Sequence, residues 1–155
     1  MTDLLITAAE VLETAVPSNE YVPEGMIVPA RIETAQLGFL RPVFGKLYDK
    51  LGEEPYAAFC RTYIKPALAY YVRYLMVDEQ CAAIGAAGVR QNKSAYTEAV
   101  PDSRLHRLRR QARNDADTLL DKAIDYVENN PAMFPEYDPK ENIRRRVLIK
   151  GGFIL

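Results

Sequence analysis

Three aspartates, Asp117, Asp121 and Asp125, recur every four residues, and side chains at that interval share one face of a helix. A row of carboxylates is the kind of surface that attracts a hard divalent cation, which takes oxygen ligands. Helix spacing alone does not close a coordination shell, so the row reads as a solvated face or as the contact for a basic partner. The remaining chemical inventory is thin. His106 is the single histidine, set among arginines, and reads as a surface helix residue rather than a general base. Cys60 and Cys81 have no zinc-type spacing with it. The stretch "GAAGV" lacks the glycine order and the preceding strand of a phosphate-binding loop, and no GxSxG elbow occurs. Tyr63, Tyr70, Tyr71 and Tyr74 fall at helical spacing, which makes them core or interface aromatics before it makes them a ligand box. The chain is therefore not expected to be an enzyme, and no cofactor and no metal is implied.

The aspartate row belongs to a stretch with an unusual charge order, "RLHRLRRQARNDADTLLDKAIDY". Arg104, Arg107, Arg109, Arg110 and Arg113 fill its first half; Asp115, Asp117, Asp121 and Asp125 fill its second. That order opposes the helix macrodipole, which favours acids near the amino end and bases near the carboxyl end. Arg113 and Asp117 offset part of this as an i,i+4 pair. What remains unbalanced predicts a partner, and Arg109, Arg113, Asp117, Asp121 and Asp125 are candidate contacts between copies, the arginine half of one facing the aspartate half of the next.

The elements that must position these residues are mostly helices. The 155 residues are 48% hydrophobic and 26% charged, with a formal net charge of −1. That suits one soluble domain with no global attraction for nucleic acid or an anionic membrane, so any basic function must be local. The start of the chain has no basic region to make it a signal peptide, and no apolar run reaches the ~18 residues of a membrane span. "TAAE" at residues 7–10 has capping-box spacing and predicts a short helix ending before Pro17. Residues 16–26 read as an extended connection. A helix restarts at Pro29, and Pro42 is expected to open another with its stripe at Leu40, Val43, Phe44, Leu47, Tyr48 and Leu51, capped by Gly52. Residues 55–85 should form a central helix, apolar nearly all round and kinked or divided by Pro66 near Thr62. Cys60 and Cys81 on that helix would lie too far apart for a disulfide, so both read as reduced thiols, as in a reducing cytoplasm. Residues 89–100 read as an extended loop or β-hairpin. The bipolar helix then follows on an inner stripe of Leu105, Leu108, Ala112, Ala116, Leu119, Ala123 and Val127 until "NNPAMFPEYDP" breaks it. Finally "IRRRVLIK" reads as a strand, with Val147 and Ile149 on one face, then a glycine turn and Phe153, Ile154 and Leu155. These last five apolar residues are candidate contacts with a neighbouring subunit or another protein by strand addition. The expected architecture is a mainly α helical bundle with a long central helix, a small β-hairpin or extended loop and a C-terminal strand. It makes one domain: an N-terminal arm, 1–26, a helical core, 27–130, and a C-terminal extension, 131–155.

"LRPVFGKLYDKLG", "YIKPALAYYVRYLMVDE", "ARNDADTLLDKAIDYVENN" and "FPEYDP" together resemble the head–tail connector (adaptor) proteins of tailed phages, in particular those of phages and prophages of gut Bacteroidetes, including crAss-like phages. The similarity spans roughly residues 25–139. The resemblance implies a mostly helical virion structural protein that assembles in the host cytoplasm into a ring, typically of twelve copies. Such a ring sits at the head–tail interface beneath the portal protein, extends the DNA channel, and receives tail or further neck proteins. It implies no membrane contact, and DNA only as passing through the channel. Two other classes are expected less: a DNA-binding or packaging-associated helical protein resting on Arg104–Arg113 and Arg144–Arg146, and a small helical enzyme or ligand-binding domain with the tyrosine-rich central helix as its pocket wall.

Overall fold

The computed structural model describes residues 3–18, 22–80, 82–85, 88–91 and 102–146. Along these the chain is mainly helical. The first helix, α1, runs Ala8–Ala15. Thr7 Oγ1 accepts from the Glu10 amide, and the Glu10 carboxylate accepts from the Thr7 amide at 2.9 Å, so the expected capping box closes. The far end of α1 is met by Arg73, which donates to the Ala15 carbonyl and sets a cation where the helix dipole favours one. Of the connecting residues 16–28, those described form no long element, only a 3-10 turn at Glu24–Met26.

Pro29 is the first residue of α2, Pro29–Ala35. The helix does not stop for Pro42. It widens into a π-turn over Gln36–Leu40 and resumes as α3, Arg41–Phe44. The same device recurs before Pro66. There α4, Ala57–Phe59, passes through a π-turn at Cys60–Ile64 into α5, Lys65–Gln80. In both places the residue just before the proline donates five residues back, Arg41 to Gln36 and Lys65 to Cys60. A proline lacks an amide hydrogen, and its ring collides with the carbonyl four residues back. Widening the preceding turn removes that collision while the helix stays continuous. The expected fresh start at Pro42 is thus corrected to a continuous helix, and the expected disturbance near Thr62 takes the form of a π-turn.

The stripe after Pro42 is buried as expected, but its helix ends early. Gly45 adopts φ +52°, and Gly45–Lys50 continues as a 3-10 helix, so Gly45 rather than Gly52 breaks the run. Leu40, Val43, Phe44, Leu47 and Leu51 all sit in the core. Fully buried Leu68, Ala69, Tyr71 and Val72, with Ile64 at the end of the π-turn, carry the helix through the centre of the molecule, against α1, α2 and α6, Asp102–Asn129. Each large aliphatic side chain among them contributes ~1.5–3 kcal/mol. The all-round apolar character of this helix is satisfied within one chain.

The central helix is also shorter than its apolar run. It ends at Gln80, and Ala82–Gly85 instead pairs antiparallel with Gly88–Gln91. Of the extended loop or β-hairpin expected at 89–100, residues 89–91 are described and lie in the second strand of this earlier hairpin; residues 92–100 lie outside the described ones. No C-terminal strand is seen among the described residues either. Ile143–Arg145 forms a 3-10 turn capped by the Asn142 side chain, and Val147, Ile149, Phe153, Ile154 and Leu155 lie outside the described residues, as does Cys81.

Candidate functional site

The charged face of α6 is built from three directions. Along the helix, the buried stripe Ala112, Ala116, Leu120, Ala123, Ile124 and Val127 faces α5 and so turns the charged positions outward and sideways. From below, the prolines of residues 131–139 turn the chain through successive tight turns, and Phe134 enters the core beside Tyr56 and Phe59. Asn142 then fixes the returning chain. It is fully buried, its amide nitrogen donates to the Tyr137 hydroxyl at 2.8 Å, and its oxygen accepts from the Arg144 amide. Tyr137 in turn donates to Glu128. Burial and that carboxylate push the Tyr137 hydroxyl up to about 12, past the opposing hydrogen bond from Asn142.

This strap delivers two arginines onto the aspartate row. Arg144 reaches Asp117 at 3.1 Å and Asp121 at 2.8 Å. Arg145 reaches Asp125 and Glu128, each at 3.0 Å. Asp117 also accepts from Arg113 at 3.1 Å and from the Tyr71 hydroxyl at 2.5 Å. Burial pushes the Asp117 carboxyl up, but the Tyr71 hydrogen bond and the guanidinium groups of Arg113 and Arg144 outweigh it, so Asp117 lies below the usual carboxylate range. Burial, together with the Asp117 contact, drives the Tyr71 hydroxyl well above its ordinary value. The row therefore finds its cations inside the chain. Among the described residues no group of three or more histidine, cysteine or acidic side chains is placed to hold a metal ion.

The arginine half divides differently. Arg113 points inward, its guanidinium 4.8 Å from the Phe39 ring centre and 5.3 Å from that of Tyr74, with Phe39 stacked on Tyr71 at 4.1 Å. Arg109 lies over Tyr74 at 5.0 Å. These cation–π contacts hold both arginines against the aromatic wall of α5. Arg104, Arg107 and Arg110 are exposed, with no partner among the described residues. Of the tyrosines singled out above, Tyr71 is buried and Tyr63, Tyr70 and Tyr74 are half-buried, as packing residues would be. Tyr63 belongs to a second aromatic cluster with Phe59, Tyr126 and Phe134. Cys60 is a buried thiol, pushed up to about 11 by burial, and His106 is exposed on α6.

The structure thus brings Arg113, Asp117, Asp121 and Asp125 into one network with Arg144 and Arg145, and sets Arg109 beside it. The spacing of the aspartates was legible; the arrival of Arg144 and Arg145 was not, because "IRRRVLIK" alternates like a strand. The signal was present as a basic run facing an acid row of matching length. Among the described residues no helix is long and apolar enough to cross a membrane. No curated protein and no solved structure matches the chain. The model of a family of unknown function, DUF6712, matches residues 38–147, well over half of the chain, and the chain belongs to that family.

Proposed function

We propose that this protein is a virion structural protein, a head–tail connector that forms a ring below the portal of a tailed phage, extends the DNA channel and joins head to tail. The observation that carries this reading is where the phage-like phrases fall. "LRPVFGKLYDKLG" supplies α3 and the 3-10 helix after it. "YIKPALAYYVRYLMVDE" and "ARNDADTLLDKAIDYVENN" supply most of α5 and α6, and "FPEYDP" supplies the strap. All four belong to one packed framework, so the likeness rests on the residues that determine the fold and not on scattered surface positions. No catalytic role is part of the proposal.

A closed ring of identical subunits needs two different patches that fit one another. Asp121 and Asp125 stay 55% and 66% exposed despite their arginines and are available for such a contact. Arg109, Arg113 and Asp117 act through the internal network, and Val147, Ile149, Phe153, Ile154 and Leu155 are assigned to the neighbour from their apolar sequence. Measuring the native mass of the full chain with and without the portal protein of the same phage tests the reading. The expected result is a ring of about a dozen copies in the presence of portal. A chain that stays monomeric and does not bind the portal overturns it.

A further inference from the structure

The first half of α6 is basic along its whole length. From Ser103 to Asn114 the helix carries five arginines and no acid. Two of them, Arg109 and Arg113, lie against aromatic rings. The apolar positions of the stretch, Leu105, Leu108 and Ala112, are half-buried or buried. Every exposed position that remains is polar and can donate a hydrogen bond: Ser103, Arg104, His106, Arg107, Arg110, Gln111 and Asn114. Of the acids farther along the same helix, Asp117, Asp121, Asp125 and Glu128 already have Arg113, Arg144 and Arg145 as partners, and Asp115 accepts from Gln111 at 2.9 Å.

We propose that this face binds the sugar–phosphate backbone of double-stranded DNA through Arg104, Arg107 and Arg110. Phosphate and sugar oxygens are contacted by arginine together with serine, asparagine and glutamine side chains, which is the set displayed here. A protein partner would be expected to meet a buried aromatic or aliphatic anchor ringed by polar groups, and this face offers no exposed apolar side chain. Arg104, Arg107 and Arg110 rise about 4.5 Å per step along the helix, so they span roughly 9 Å. Duplex DNA presents a negative charge about every 1.7 Å of its axis, both strands counted, so a span of that length brings several phosphates within reach of the three arginines. The binding is local and independent of sequence, since the chain as a whole carries −1. It is also a property of the subunit, separable from ring assembly.

The test is fluorescence anisotropy of a labelled random-sequence 30-base-pair duplex, titrated with the full chain. Three phosphate contacts predict a salt slope near −2.7, so binding should weaken roughly 40-fold from about 50 mM to about 200 mM salt. The variant R104Q/R107Q/R110Q should lose most of the affinity and most of that slope while keeping its circular dichroism spectrum. R41Q/K46Q/R61Q removes as many exposed cations elsewhere and should bind like the parent chain. No binding at low salt, equal binding by the two triple variants, or capture of a poly-glutamate peptide in place of DNA each overturns the proposal. Portal-dependent rings without DNA affinity would leave the connector reading intact and remove this one. DNA affinity in a chain that never assembles would do the reverse.

Discussion

At the scale of single residues, Gly45 is held by its backbone more than any other glycine whose surroundings are described. Its φ of +52° lies where side chains are rarely tolerated, and a Cβ there would stand 2.9 Å from the Glu141 carboxylate. Gly45→Ala should therefore destabilise the protein by about 1–2 kcal/mol, read as a lower midpoint in urea unfolding with an unchanged slope. An unchanged midpoint would mean that the turn relaxes freely. Glu136 makes a different prediction. Lys50 at 2.7 Å and the Tyr56 hydroxyl hold its carboxyl down to about 2. A carboxylate depressed in the folded state adds stability above its ordinary value and loses it as acid protonates the folded form. Stability should accordingly fall as pH drops from about 4.5 towards about 2, and Glu136→Gln should flatten that fall. Equal acid sensitivity in the variant would assign the loss to other carboxylates, such as Asp117 and Glu10, whose values are also lowered.

At the scale of elements, what could be read in advance was whatever periodicity controls. The capping box at Thr7, the start at Pro29 and the buried stripe of the central helix follow from local spacing and are present; on the bipolar helix Ala112, Ala116, Ala123 and Val127 are buried as expected, but Leu105, Leu108 and Leu119 are half-buried and Leu120 and Ile124 enter the core instead. The misreadings share a physical origin. A proline in an apolar helical run was expected to break it, and at Pro42 the chain inserts one wide turn and carries on. Fully buried Gln36 lies in that turn, where periodicity gives no reason to place a polar core residue. Its oxygen accepts from the Leu5 amide, and its nitrogen donates to the Asp3 carbonyl and to the Tyr48 hydroxyl. The site was half legible for the same reason. The four-residue spacing of the aspartates is local, whereas the return of Arg144 and Arg145 depends on Phe134 packing beside Tyr56 and Phe59, far away in sequence, and on Asn142 holding a Tyr137 that reaches back to Glu128.

At the scale of the whole molecule, α5 and α6 form a frame, and two outer segments are laid across it. One is the N-terminal segment, tied to the frame by Lys65 on Glu10 at 2.6 Å and to the π-turn beside it by Gln36. The other is the strap of residues 131–146. These parts are held by different forces. The frame is joined through side chains that water does not reach; the end of the strap is held by Asn142 and by exposed ion pairs, each worth at most about 1 kcal/mol and screened by salt. Segments with few buried apolar contacts open at lower free energy than the core around them. The structure therefore implies a sequence in time: the amide protons of Arg144–Arg146 exchange with solvent through local opening, and those of Leu68–Val72 only when the frame itself comes apart. Hydrogen exchange should show the first group exchanging faster in high salt while the second barely responds, so that the end of the strap works as a latch that lifts while the frame stays closed.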